Sequence, residues 1–172
     1  PDRERILERL VELLIHEMRY SEVLDILNHA PQTWRWLMRQ ADVYVLNNNP
    51  TEALTALNQA QTHLQTVFPD LLSPVSRNTM AQIHIARGKV HMTLDNLKAA
   101  EADFRDALYH IPDDATLLFN LGLIFARSDK LTRAEKHCKK ALDGASPYIR
   151  EILIEVLTND ERYTELKEKL GV

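Results

Sequence analysis

The side chains best able to do chemistry are seven histidines, one cysteine and a basic cluster. A zinc-hydrolase helix needs two histidines one turn apart with a glutamate beside the first; His16-Glu17 has no second histidine in that frame. His84 and His91 are seven residues apart. On a helix that is about 10 Å along the axis, too far to share an ion without other ligands. Their default reading is a pair of core histidines with internal partners. Cys138 as a nucleophile would need an activating base and a strained turn, and no such arrangement is apparent in the sequence. Its default role is that of a small buried hydrophobe. A lone cysteine also excludes an internal disulfide and a cysteine metal cluster. Arg133, Lys136, Lys139 and Lys140 cluster at helical spacing and read as a solvated face rather than an anion site. The chain has no glycine-rich phosphate loop. The expectation is therefore no catalytic residue, no cofactor and no metal.

The elements that carry these residues are helical. The apolar fraction of 45% and charged fraction of 27% are those of a soluble globular chain. With only 4 glycines in 172 residues and long stretches rich in Leu, Ala, Glu, Lys and Arg, helices are favoured over strands. The net charge of −4 is spread along the chain, with no dense positive segment to meet a phosphate backbone, so nucleic acid is not an expected partner. No run of about 18 apolar residues spans a membrane. A chain that starts at Pro1 rather than Met reads as a piece of a longer protein. The absence of a visible targeting segment thus says little about compartment; a soluble, cytoplasmic protein is the favoured reading.

The sequence repeats itself. Residues 81–114 superimpose on 115–148 at an offset of 34: Gly88 on Gly122, Ala100 on Ala134, Phe104 on Cys138, Ala107 on Ala141 and Leu108 on Leu142. This resembles the tetratricopeptide repeat, a helix-turn-helix unit of that period. Residues 115–148 fit its pattern with Leu118, Leu121, Gly122, Phe125, Ala134, Cys138 and Ala141. Residues 81–114 depart from it, with His84 and His91 at two large positions of the first helix and Arg87 between them. A further copy covers 34–67, with Leu37, Ala41, Tyr44, Ala53, Leu57 and Ala60. A weaker one covers about 4–31, with Leu7, Leu10, Leu14, Val23, Leu27 and Ala30. Residues 149–172 read as a degenerate pair or cap. The step from the second to the third copy is 47 residues instead of 34, and the 13 extra residues are expected as a loop near 68–80, marked by Pro69, Ser73, Pro74 and Ser76.

The pattern also has a physical reading of its own. Leu118, Leu121, Gly122 and Phe125 share one face of a helix, as do Ala134, Cys138 and Ala141. Glycine inside a helix costs about 1 kcal/mol relative to alanine, so Gly88 and Gly122 need a local reason, and close packing of the paired helix is the expected one. Asn47-Asn48-Asn49-Pro50 stops one helix and starts the next. Asp113-Asp114 sits where an N-cap for a helix at Ala115 belongs. Asp129 to Leu131 and Asn159-Asp160 mark turns.

The resemblance implies an all-α fold, a right-handed α-solenoid of stacked antiparallel helix pairs forming a single domain over 1–172. It implies a concave groove lined by the first helix of each pair. On this chain the groove positions include Arg35, Met38, Arg39, Val45, Ile85, Lys89, Met92, Phe119, Asn120, Leu123 and Arg127. Met38, Val45, Ile85, Met92, Phe119 and Leu123 would form an apolar strip flanked by Arg35, Arg39, Lys89 and Arg127, suited to an amphipathic helix or apolar peptide with acidic flanks. The alternative is that the C-terminal helices fold back over part of the strip. The five positions that clamp a chaperone's terminal carboxylate in some members read Glu8, Glu12, Arg39, Gln82 and Ala86 in one frame, and Met38, Asp42, Ala86, Thr116 and Asn120 in the other. Neither set holds a carboxylate in that way. The expected function is a non-catalytic scaffold, adaptor or assembly factor for a protein partner. The alternative is a self-associating or regulatory module of a larger enzyme or secretion machine. Apolar residues nearly encircle the first helix at Leu10-Val11-Leu13-Leu14-Ile15, which allows a homodimer through that helix.

Overall fold

The computed structural model describes residues 2–71 and 73–172, with side chains from residue 4 onward. Pro1, and Leu72 within the expected loop, lie outside the described residues. Among the described residues the secondary structure is helical throughout: α1 (Asp2–His16), α2 (Tyr20–Asn28), α3 (Trp34–Leu46), α4 (Pro50–Val67), α5 (Pro74–Thr93), α6 (Leu97–His110), α7 (Ala115–Arg127), α8 (Leu131–Gly144), α9 (Pro147–Asn159), a 3-10 turn (Glu161–Tyr163) and α10 (Thr164–Leu170).

One backbone device recurs at the turn inside each of the first four pairs. Met18, Asn48, Asp95 and Asp129 take left-handed φ values of 57–58°. The next residue in each case, Arg19, Asn49, Asn96 or Lys130, donates its N–H to the carbonyl five residues back, on Leu14, Tyr44, His91 or Phe125, at 2.8–2.9 Å. This six-to-one bond closes the helix and reverses the chain within three residues. Asn and Asp tolerate the left-handed region; Met18, 74% exposed, adopts it without that advantage.

Caps begin the helices. The Asp114 carboxylate accepts from the Leu117 N–H at 2.9 Å and starts α7 where the acidic pair was expected. Ser146 caps α9 ahead of Pro147. The loop expected over 68–80 is shorter than that. Ser73 Oγ accepts from the Ser76 N–H at 3.0 Å, and Pro74 opens α5 directly after it. Ser-Pro here is a cap followed by a first helical residue, not loop punctuation. The extra residues lengthen α4 to 18 and α5 to 20, so that α4 ends at Val67 and α5 begins at Pro74.

The chain divides into two compact units, Pro1–Arg77 and Asn78–Val172. In the first, Val11 and Leu14 of α1 bury against Val23 and Leu27 of α2 and Trp36 of α3. Helix α4 pairs with α3 through Ala53, Ala56, Leu57 and Ala60. In the second, the core runs from Phe104 of α6 through Leu121 and Phe125 of α7 and Cys138 of α8 to Leu153 of α9 and Leu166 of α10. The two helix glycines are explained by contact. A β-carbon on Gly88 would stand 3.1 Å from the Phe104 ring, and one on Gly122 would stand 2.2 Å from Cys138 Sγ.

Candidate functional site: a binding surface

Two polar constellations and two surfaces are candidates. The first constellation is internal. His84, at 5% exposure, and Asp103, at 4%, meet between α5 and α6, with His84 Nδ1 3.1 Å from Asp103 Oδ1. Arg87 donates to the same carboxylate, its Nη2 at 2.6 Å from Oδ1 and its Nε at 2.9 Å. His91 Nε2 lies 3.8 Å from Asp103 Oδ2. Burial alone would push the Asp103 carboxyl up; the hydrogen bonds from His84 and Arg87 and the guanidinium charge outweigh it and hold the group below the ordinary aspartate range. Large apolar residues expected at these positions are thus replaced by a polar network centred on the Asp103 carboxylate, in which the buried His91 Nδ1 finds no hydrogen-bond partner.

His84, Asp103 and Asp106 each bring one ligand atom within 4.8 Å of the others, a metal-like grouping. The Arg87 guanidinium stands in that grouping, bonded to Asp103 and 3.2 Å from His84 Nδ1. The cation is supplied by the protein, and the arrangement is an ion-pair network. Cys138 is fully buried, and desolvation pushes its thiol up to about 12. A thiol at that value is not a nucleophile near neutral pH.

The expected groove residues fall into two groups, one in each unit. In the first unit, Arg35 is exposed and lies over the Trp34 ring at 5.1 Å. Met38 is half-buried, Val45 is exposed, and Arg39 reaches Glu12 of α1 at 3.8 Å. In the second unit, Lys89 is exposed, Asn120 is half-buried, and Ile85 and Met92 are half-buried against the core. Phe119 and Leu123 correct the expectation. They are 2% and 5% exposed and belong to the core, not to an open strip. The same core takes in Leu153, Tyr163 and Leu166 of the C-terminal elements, and the 3-10 turn carrying Tyr163 packs on α7. Arg127 is committed inward too. Its Nη atoms donate to the Met92 carbonyl at 3.1 Å and to Asp95 at 2.6 Å, tying α7 to the turn between α5 and α6.

A surface that the repeat pattern did not reveal lies in the first unit. Leu7 of α1, Ile26 of α2, Ala30, Pro31 and Trp36 of α3 line an open cleft of about 950 Å³, together with Glu4, Asp25, His29 and Thr33. The His29 ring places Nδ1 2.8 Å from the Asp25 carbonyl, as donor to it, which leaves Nε2 as an acceptor. The floor is apolar, and the charged groups at the rim, Glu4 and Asp25, are acidic. Its residues come from three helices, so no single helical period signals it.

Comparison with known proteins agrees with this architecture. Residues 85–148 match the tetratricopeptide repeat family model. The fold resembles the solved structure of MamA 41-end from Desulfovibrio magneticus RS-1, at 14% identity and a TM-score of 0.69, covering 99% of this chain and 93% of that one. It also resembles TTC0263, a thermophilic TPR protein of Thermus thermophilus, at 22% identity and a TM-score of 0.55, covering 96% and 87%. No curated protein matches the sequence. Residues 85–148 therefore carry the tetratricopeptide pattern, and the fold of the chain is the all-α helical-repeat fold seen in those structures. Repeats of this class are in general protein-binding scaffolds without catalytic function. No described helix is long and apolar enough to cross a membrane.

Proposed function

We propose that this chain is a non-catalytic scaffold that holds a segment of another protein, and that the segment binds in the cleft between α1, α2 and α3. The observation that carries this reading is the cleft itself, with its apolar floor of Leu7, Ile26 and Trp36 and its acidic rim of Glu4 and Asp25. Concave, mostly apolar sites with a few directed polar groups are where peptides bury their anchors. The rim selects a basic neighbour: an apolar residue with a Lys or Arg close by would fill the floor and meet Asp25, Glu4 and the His29 Nε2 acceptor. The inward ties of His84, Asp103 and Cys138 support the non-catalytic part of the reading.

A second reading keeps the partner on the first-helix face of the second unit, with Ile85, Lys89, Met92 and Asn120. The exposed Lys89 beside half-buried Ile85 and Met92 supports it, and an amphipathic helix with acidic flanks is the matching partner.

Fluorescence polarisation with two designed amphipathic peptides, identical but for basic or acidic flanks, separates the readings. The cleft reading expects the basic-flanked peptide to bind, Asp25→Lys to weaken it by roughly tenfold or more, and Lys89→Glu to leave it unchanged. Preference for the acidic-flanked peptide, lost in Lys89→Glu, moves the site to the first-helix face. Binding of neither peptide overturns both.

A further inference from the structure

Two helices present apolar stripes to solvent on faces that no core uses. On α1, Ile6, Leu10 and Leu13 are 67%, 41% and 56% exposed, while Val11 and Leu14 carry the burial. On α9, Tyr148, Ile152 and Val156 are 71%, 39% and 38% exposed, while Leu153 and Leu157 carry the burial. Steps of four and three on α1, and of four on α9, keep each stripe on one side of its helix. Each stripe has a charged ridge along its outer edge, and the ridges are opposite in sign. Arg5 and Arg9, exposed and one turn apart, border the stripe of α1; Glu151 and Glu155, exposed and one turn apart, border that of α9.

We propose that copies of this chain associate head to tail, the α1 stripe of one copy packing antiparallel on the α9 stripe of the next. The register is what selects this occupant. Laid antiparallel, Ile6 faces Val156, Leu10 faces Ile152 and Leu13 faces Tyr148. In both helices the charged ridge lies on the same angular side of the stripe, so the same alignment sets Arg5 against Glu155 and Arg9 against Glu151. A symmetric antiparallel pairing of α9 with α9 would set the glutamate ridges against each other, whereas in α1 the exposed Glu12, one turn beyond Arg9 on the same edge, adds an acid to the arginine ridge. The heterologous pair is favoured by opposite charge. A three-residue stripe on each side falls short of the roughly 800 Å² per partner of a standard interface, so the association is weak and grows with concentration. A heterologous contact of this kind closes on itself where the rotation allows and otherwise stays open.

Sedimentation velocity and light scattering over roughly 10 µM to 1 mM test this, a range suited to weak interfaces. The six stripe residues are exposed, so substitutions there leave the fold in place, which far-UV circular dichroism checks. Wild type is expected to rise in average mass above the monomer as concentration increases. Leu10→Glu with Leu13→Glu, and separately Ile152→Glu with Val156→Glu, are each expected to be monomeric. Mixed in equal amounts, these two variants retain one good end each and are expected to give a heterodimer and nothing larger. Arg5→Glu with Arg9→Glu weakens wild-type association roughly tenfold, and adding Glu151→Arg with Glu155→Arg restores it. The proposal is overturned if wild type stays monomeric throughout. It is equally overturned if the α9 variant still dimerises, which indicates a symmetric α1 pair, or if the two variants fail to complement.

Discussion

Gly122 is where the packing of the second unit can be tested most sharply. It lies inside α7, where Gly→Ala ordinarily stabilises by about 1 kcal/mol through helix propensity. Here the added β-carbon would stand 2.2 Å from Cys138 Sγ and 3.2 Å from both the Ala134 carbonyl oxygen and the Cys138 nitrogen. Carbon contacts are comfortable only at about 3.5–4.0 Å. The sulfur cannot simply rotate away, because it is fully buried, and two of the three obstacles are backbone. The α7–α8 pair must separate, an overpacking cost at or above the upper end of about 1–3 kcal/mol. Set against the propensity gain, Gly122→Ala is expected to destabilise by about 2 kcal/mol, or roughly 4–8 °C in Tm for a chain of this size. Urea denaturation followed by circular dichroism measures it. Cys138→Ala removes the closest obstacle but not the backbone ones, so in the Gly122→Ala background it should recover part of the loss, with a favourable coupling of about 1 kcal/mol. Gly144→Ala is the control, since nothing lies within 4 Å of its added β-carbon, and it should be neutral or slightly stabilising. A neutral or stabilising Gly122→Ala, or strict additivity with Cys138→Ala, would refute the close-contact account.

The remaining predictions concern buried charge, backbone strain and the thiol. Asp103→Ala leaves Arg87 and His84 without their shared carboxylate and is expected to cost about 3–5 kcal/mol by chemical denaturation. Because the folded state holds Asp103 below the ordinary aspartate range, its contribution is present above the unfolded pKa and lost as pH falls through the folded one. The wild-type loss of stability with acid below about pH 4 should therefore be shallower in Asp103→Asn, read from midpoints at several pH values. Met18, at φ 58°, is expected to yield about 1 kcal/mol when replaced by Gly or Asn, which accept that conformation, and an unchanged or lower melting temperature would count against strain there. Cys138, buried and with its thiol pushed up to about 12, should resist iodoacetamide at pH 8 until urea unfolds the chain, as followed by intact mass.

Local patterns carried the repeat architecture a long way. The 34-residue offset, the small residues Gly88, Ala100, Gly122 and Ala134, and the turn residues Asn48 and Asp129 located the helix pairs, because each is set by contacts within one pair or one turn. The same reading took Ser73-Pro74 as loop, since a cap and a turn use the same residue types and only the hydrogen bond to Ser76 tells them apart. His84, His91 and Arg87 looked like departures from the pattern until Asp103, 19 residues after His84 and on the paired helix, supplied the partner they share.

The binding surface was less legible. Position in the repeat assigned Phe119 and Leu123 to an open groove face of α7, and both are buried in the core of the second unit. It does not predict what else packs there, and the last repeat's face is shared with a core that includes Leu153, Tyr163 and Leu166 from non-repeating sequence. The cleft of the first unit is likewise made by Leu7, Ile26 and Trp36 meeting across three helices. Period and composition determine elements and pairs, because those contacts are short in sequence. Which faces remain open is decided by packing among elements far apart in the chain, and only the tertiary structure records it.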